Sequence, residues 1–307
     1  MTWTEPPYAN SLRFEEADVT LAVDDRPTQG TLTLPYGGAR VGVVLLSGGG
    51  PFDRDETSGP NKPLKDLAWG LASRGVAVLR FDKPSFTYPE LFTQPGFTMT
   101  QEYVPHAVAA VRTLSEYVEQ VFVIGHSMGG KVAPKVAAAA PEVAGVIIMA
   151  GDTQPMHHAA VRVMKHLATI DPATVPAELV EQFERQAAVV DSPELSPETT
   201  DLPFGAPGSY WLDLRDYDPV AAAAKLDVPI LVLQGGRDYQ VTVDDDLPGW
   251  RDGLADHPAT TIKILAADNH QFFAGAGPST PADYQVEGHV DPEALDAILG
   301  WLPTATD

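Results

Sequence analysis

Ser127 is the residue best placed to do chemistry, because of what surrounds it. It lies in Gly125-His126-Ser127-Met128-Gly129-Gly130, after the apolar run 121–124 and before a helical pattern that opens at Lys131. A strand that turns sharply into a helix holds the residue at the turn in a strained backbone conformation, with its side chain lifted clear of the sheet. Side chains two positions either side would collide with strand and helix, which accounts for Gly125 and Gly129. The helix N-terminus behind the serine favours negative charge developing there. A plain glycine-rich strand-to-helix turn is the competing, inert interpretation. A serine hydroxyl becomes a useful nucleophile only when a base takes its proton and a third group orients that base.

Of the eight histidines, His270 is best placed as the base. It lies in Asp268-Asn269-His270-Gln271-Phe272-Phe273, just past the last expected strand at 261–265. A side chain there stands at the carboxyl edge of the sheet, the same edge as Ser127. His289 competes, but its place just before the final helix suits a cap or surface residue. His126 adjoins the serine, and the turn should aim it elsewhere. For the orienting acid the candidate is Asp238, in Gln234-Gly235-Gly236-Arg237-Asp238-Tyr239 after the strand 228–233. Asp244, Asp245 and Asp246 are alternatives that read as the first turn of a helix running toward Leu254. A tetrahedral oxyanion needs backbone donors. Met128 N–H, next to the nucleophile, is one. The other belongs to Ser47-Gly48-Gly49-Gly50-Pro51, where glycine lets the backbone approach closely; Gly49 is the first choice and Gly48 the second.

Loops placed this way require a particular scaffold. Residues 12–23 and 28–34 cluster β-formers around the turn Asp24-Asp25-Arg26-Pro27 and predict an antiparallel pair. Short apolar runs follow at Val41–Leu46, 76–79, 121–124, Val143–Met149, 228–233 and 261–265. Runs this short and rich in Val and Ile suit parallel strands covered on both faces. Between them, Leu64, Leu67, Ala68 and Leu71 follow helical spacing up to a stop at Gly75. Val104, Ala107, Val108, Val111 and Val118 form a second stripe, with Pro105 in its first turns or kinking it. An alanine-rich helix spans 127–140. This alternation predicts an α/β fold with a mostly parallel central sheet and right-handed crossovers.

The alternation breaks once, for about eighty residues after Met149, which hold helical candidates at 155–170 and 176–190 and then a proline-rich stretch. An insertion of that size inside a compact domain is usually functional. The expected organisation is a core made of 1–150 and 218–307, with 151–217 as a lid. Phe183, Phe204, Tyr210 and Trp211 in this segment either wall an apolar acyl or aryl pocket or pack the segment onto the sheet.

Composition narrows the function. The 307 residues carry 20 Lys and Arg against 42 Asp and Glu, a net charge of −22. Such a surface repels phosphate backbones and anionic lipid, so neither nucleic acid nor membrane is an expected partner. The absence of cysteine excludes disulfides, thiolate metal sites and a cysteine nucleophile. No apolar run approaches membrane-spanning length, and the N-terminal MTWTEPPYAN lacks a leader pattern, so the expected location is cytoplasmic. No metalloprotease, nucleotide-binding or dinucleotide motif occurs, and His157-His158 alone is weak evidence for a metal, so no cofactor is expected.

With these residues in view, the chain resembles the α/β-hydrolase superfamily, and more narrowly bacterial esterase-type hydrolases related to the dienelactone-hydrolase and serine-aminopeptidase branches. The strings that carry the resemblance are SGGGPFDRDE (47–56), GPNKPLKDLAWGLASRGVAVLRFDK (59–83), GHSMGG (125–130), YWLDLRDYDP (210–219), QGGRDYQV (234–241) and NHQFF (269–273). The order Ser127, Asp238, His270 along the chain is also that superfamily's order. Ser47 departs from the pattern, standing where many relatives carry histidine. In Asp53-Arg54-Asp55-Glu56, Arg54 is expected to be held by acids and to brace the oxyanion loop. The resemblance implies an α/β-hydrolase fold with a helical lid and hydrolysis of a small-molecule carboxylic ester by a monomer or homodimer. A serine peptidase would add a lid carboxylate (Glu178, Glu181 or Glu184) to hold a free amine. An acyltransferase would use the same triad, and a non-catalytic binding protein would need it damaged.

Overall fold

The computed structural model describes residues 3–303; residues 1, 2 and 304–307, which fall within the expected core ranges and leader region, lie outside the described residues. Among the described residues, eight strands form one sheet: β1 (Phe14–Leu21), β2 (Thr28–Pro35), β3 (Val41–Leu46), β4 (Ala77–Phe81), β5 (Gln120–His126), β6 (Val143–Met149), β7 (Ile230–Gly235) and β8 (Thr260–Leu265). Their order is β1-β2-β4-β3-β5-β6-β7-β8. β1 and β2 pair antiparallel over eight residues, β2 joins β4 antiparallel, and every pair from β4 to β8 is parallel.

Among the described residues, ten α-helices accompany the sheet: α1 (Pro63–Ala72), α2 (Pro84–Thr87), α3 (Met99–Leu114), α4 (Met128–Ala139), α5 (Met156–Ile170), α6 (Ala177–Asp191), α7 (Gly208–Arg215), α8 (Pro219–Ala223), α9 (Leu247–Gly253) and α10 (Pro292–Trp301). Alternate residues of β3 explain why its run is unbroken. Val44 and Leu46 enter the core beneath α3 and α4, whereas Val41, Val43 and Leu45 enter the core beneath α1 and α10. A strand covered on both faces has no polar side to show.

The second helical stripe is rotated and shifted from its expected position. α3 begins earlier, capped by a reciprocal Thr98–Gln101 box, and buries Met99, Tyr103, Ala107, Ala110, Val111 and Leu114. Val104 and Val108 are only half-buried, and Val118 lies beyond the helix end. Pro105 sits inside, in the second turn. Asp244 to Asp246 form a turn just ahead of α9 rather than its first turn.

Strand order fixes where a ligand can sit. The chain steps from β3 to β4 on one side, then returns to place β5 on the other side of β3. The loops leaving β3 and β5 therefore diverge to opposite faces and open a crevice at the strands' carboxyl ends. The Ser47–Pro51 glycines and Ser127 lie at that crevice, and α5, α6 and α7 belong to the segment between β6 and β7. Among the described residues, no helix is long and apolar enough to cross a membrane.

Candidate active site

Ser127 joins β5 to α4 with φ 53° and ψ −120°, a region costly for a side-chain-bearing residue. The glycines beside it are sterically required. A Cβ on Gly125 would lie 2.1 Å from Gly129 O, and one on Gly129 would lie 2.5 Å from Leu46 O. Ser127 N–H donates to Met149 O, so the turn is tied to β6. Met128 heads α4, where the first N–H groups of a helix have no partner within it.

Three chain segments converge on Ser127. Its Oγ is 3.0 Å from His270 Nε2, and His270 Nδ1–H donates to Asp238 Oδ2 at 2.7 Å. Asp238 is fixed in turn: Oδ1 accepts the N–H groups of Gln240 (2.7 Å) and Val241 (3.0 Å). The loop carrying His270 is ordered by Asn269 Oδ1, which accepts from Gln271 and Phe273 N–H. Asp238 and His270 are buried while Ser127 is half-exposed, so the hydroxyl is the accessible end of the chain of hydrogen bonds. The competitors are engaged elsewhere. His289 faces Asp66 on α1, and Asp245 and Asp246 pair with Arg162.

The Gly48 alternative for the oxyanion is removed by geometry. Gly48 N–H donates to Glu56 Oε1 at 2.8 Å, whereas Gly49 lines the cavity beside Met128, with its Cβ position 3.6 Å from Met128 Cβ. Arg54 is held by acids as expected, but the direct grip on the glycine loop is not its own. Arg54 pairs with Asp82 at 2.8 Å, reaches Asp18 and donates to Gly30 O, tying its loop to β2 and the end of β4. Asp55 binds Arg80 and Lys62. Glu56 is the residue of that string that holds the glycine loop.

His126 completes this support. Its Nδ1–H donates to Glu56 Oε1 at 2.9 Å and its Nε2–H to His270 O at 2.7 Å. Both partners only accept, so both ring nitrogens carry protons. Burial alone would lower its pKa, but the Glu56 carboxylate outweighs it and the net shift is upward. A single ring thus links the loop after β3 to the loop after β8. Sequence reasoning missed Glu56 and His126 as a pair because seventy residues separate them.

Above Ser127 lies a cavity of about 630 Å³, within the range of about 300–1,000 Å³ usual for small-molecule sites. Met156, Ala160, Val163, Met164 and Leu167 share one face of α5 and line it, together with Phe92, Tyr210 and Trp211. Phe204 reaches the cavity edge and is largely exposed, while Phe183 does not line the cavity and packs edge-on against Phe204. Tyr210 and Trp211 both line the cavity and join the core under α3, so the two alternatives raised for them hold together. Glu178, Glu181 and Glu184 are exposed, do not line the cavity, and Glu184 pairs with Lys165. The carboxylate that does line it is Asp152, held by Lys131 at 2.7 Å. Away from this cavity's lining, His157 and His158 both donate to Asp191.

Asp268, two residues before His270, is buried, and its carboxyl lies against that of Asp291 with no other hydrogen-bond donor on either oxygen among the described residues. Burial, with Asp291 nearby, pushes its pKa up to about 8. An acid raised in this way takes up a proton on folding. Its contribution is therefore fully favourable below the unfolded value of about 3.9 and is lost as pH rises to about 8. Asp268→Asn is expected to raise Tm by an increment that grows from pH 5 to pH 8 and then levels off. Thermal melts showing a flat or shrinking increment over that interval would contradict the assignment.

Comparison with known proteins agrees with this architecture. Residues 43–284 match the model of the alpha/beta hydrolase family. Esterase EstD of Thermotoga maritima is 37% identical over 302 residues, covering 97% of this chain and 69% of that protein. Among solved structures, the esterase domain of a Rhodothermus marinus protein aligns over 94% of this chain and 97% of its own, with TM-score 0.57 and 19% identity. A dienelactone hydrolase from Anabaena variabilis aligns over the same shares with TM-score 0.55 and 17% identity. These two likenesses concern the fold. Matched by the family's model over most of its length and by a relative at this level of identity, the chain belongs to the alpha/beta hydrolase family.

Proposed function

We propose that the protein hydrolyses neutral carboxylic esters through an acyl-enzyme on Ser127. The observation that carries this reading is the unbroken hydrogen-bond series Ser127–His270–Asp238 opening into an apolar cavity. The 37% identity to an esterase supports the same reaction class.

In the first half-reaction His270 Nε2 takes the Ser127 Oγ proton as Oγ bonds to the ester carbonyl carbon. The carbonyl electron pair moves onto oxygen, where the N–H groups of Met128 and Gly49 stabilise it. Asp238 keeps Nδ1 protonated and stabilises the imidazolium. As the oxyanion collapses, the bond to the alkoxy group breaks and His270 passes its proton to the departing alcohol. Water repeats the sequence on the acyl-enzyme: His270 removes its proton, the hydroxyl adds to the carbonyl carbon, and Ser127 leaves with the proton restored. The residues already named account for each proton and electron pair, without a metal or organic cofactor.

The cavity also bears on the choice between ester and peptide. An aminopeptidase must hold a free ammonium with a free carboxylate, but Asp152 is already neutralised by Lys131 and the three glutamates of α6 are outside the lining. The segment between β6 and β7 serves in this reading as the apolar roof over the acyl or alcohol group. A fluorophosphonate probe is expected to label Ser127, and short aryl esters are expected to turn over far faster than amino-acyl anilides. Labelling at another residue, or faster anilide than ester turnover, would refute the reading.

A further inference from the structure

Resting on the ester-hydrolase reading, we propose that Lys83 and Tyr103 are positioning residues that aim and polarise the Gly48–Gly49 peptide so that Gly49 N–H donates to the oxyanion. Gly48 C=O and Gly49 N–H belong to one trans peptide group and point in opposite directions. The carbonyl is anchored on the buried side. It accepts Lys83 Nζ–H at 2.9 Å and Tyr103 O–H at 2.8 Å. The N–H must then point away from that anchor, on the side where Gly49 lines the cavity with Met128, Ser127 and His270.

The anchor is fully satisfied, which is what makes it rigid. Lys83 has three N–H groups and three acceptors: Gly48 O, Tyr103 Oη at 2.8 Å and Glu102 Oε1 at 3.2 Å. Burial lowers the lysine's pKa, and Glu102 works against that shift. Glu102 also accepts from Ser85 Oγ and, at 2.6 Å, from Tyr210 O–H, both of which line the cavity. On the other side of Gly48, its N–H is held by Glu56, so both peptide groups flanking that residue are pinned. A carbonyl that accepts two hydrogen bonds, one from an ammonium, polarises its own peptide and makes the N–H a stronger donor. The glycine loop itself has no side chain to impose this orientation. Four residues from distant parts of the chain impose it instead.

The discriminating variant is Tyr103→Phe, which deletes one oxygen atom and one hydrogen bond to Gly48 O. Deleting an oxyanion donor outright typically costs about 10²–10³ in kcat; loosening one is expected to cost about 10-fold, with KM within twofold of wild type. Affinity for a trifluoromethyl ketone, which forms the oxyanion on Ser127, should fall by the same factor, while a non-reactive ground-state competitor binds as before. The double variant Lys83→Met with Glu102→Gln keeps the charge balance and is expected to lose about 10²-fold by the same comparison. If that pair does not fold, Tyr103→Phe decides alone. Ketone affinity and kcat both within twofold of wild type in folded Tyr103→Phe would overturn the proposal, as would a loss appearing in KM alone. Wild-type ester turnover with labelling at Ser127 shows separately that the hydrolase reading stands; their absence would remove the oxyanion and the proposal with it.

Discussion

Ser127→Ala is expected to lower kcat on a p-nitrophenyl ester by about 10⁶-fold, and His270→Ala by a similar factor, because nucleophile and base act as a unit and losing either one removes the covalent route. The residue that remains cannot attack alone. In Ser127→Ala the imidazole still points at the substrate but has no hydroxyl to deprotonate, and only binding and the oxyanion donors persist. The backbone at 127 stays strained at φ 53° whichever small side chain is present, and the glycines that permit the turn are untouched. The variant should therefore fold, with an unchanged circular dichroism spectrum. His289→Ala is the matching control: His289 faces Asp66 on α1, and its loss should leave turnover near wild type. Wild-type hydrolysis by folded Ser127→Ala, or activity that survives His270→Ala and disappears in His289→Ala, would remove the assignment.

Asp238→Asn is expected to cost about 10⁴ in kcat, and the hydrogen bonds around residue 238 give the reason. Oδ1 accepts two backbone N–H groups, from Gln240 and Val241, and Oδ2 accepts His270 Nδ1–H. An asparagine has one carbonyl oxygen, and the two backbone donors claim it. Its NH₂ group then faces His270 Nδ1, which can only accept, so the ring proton moves to Nε2 and confronts the Ser127 hydroxyl with a donor. The ring is still in place but no longer a base. Steady-state rates between pH 6 and 9 would test this. A loss below tenfold would mean that the Asp238 carboxylate does not set the tautomer.

The α/β architecture and the three chemically matched side chains were legible in the sequence for local reasons. Gly125 and Gly129 are needed because backbone atoms within five residues, or of the adjacent strand, would strike a Cβ, and such constraints leave their mark on a short string. Asp238 follows β7, whose two-sided burial makes its end easy to find, and His270 follows β8, an edge strand that is only partly buried but still carries a short β-forming run. The α3 stripe was harder to place, because half-buried valines compete with the true core positions in a helix that also carries buried Glu102 and His106. Those two polar residues at core spacing were the available signal of a buried polar network.

The support beneath the site became visible only in three dimensions. Nothing in the order of residues says that Glu56 rather than Arg54 grips the glycine loop, that the Gly48 N–H is taken by Glu56, or that His126 bridges to the His270 backbone. Phe183 likewise shares its composition with the cavity-lining aromatics but lies on the wrong side of Phe204. The physical reason is the same in each case. Periodicity and steric strain are properties of neighbours in the chain, so the sequence by itself determined the strands, the turn and the edge of the sheet where the chemistry collects. Which buried charge meets which polar group depends on how loops from β3, β4, β5 and β8 and the helix α3 pack together, and that was decided by the tertiary structure.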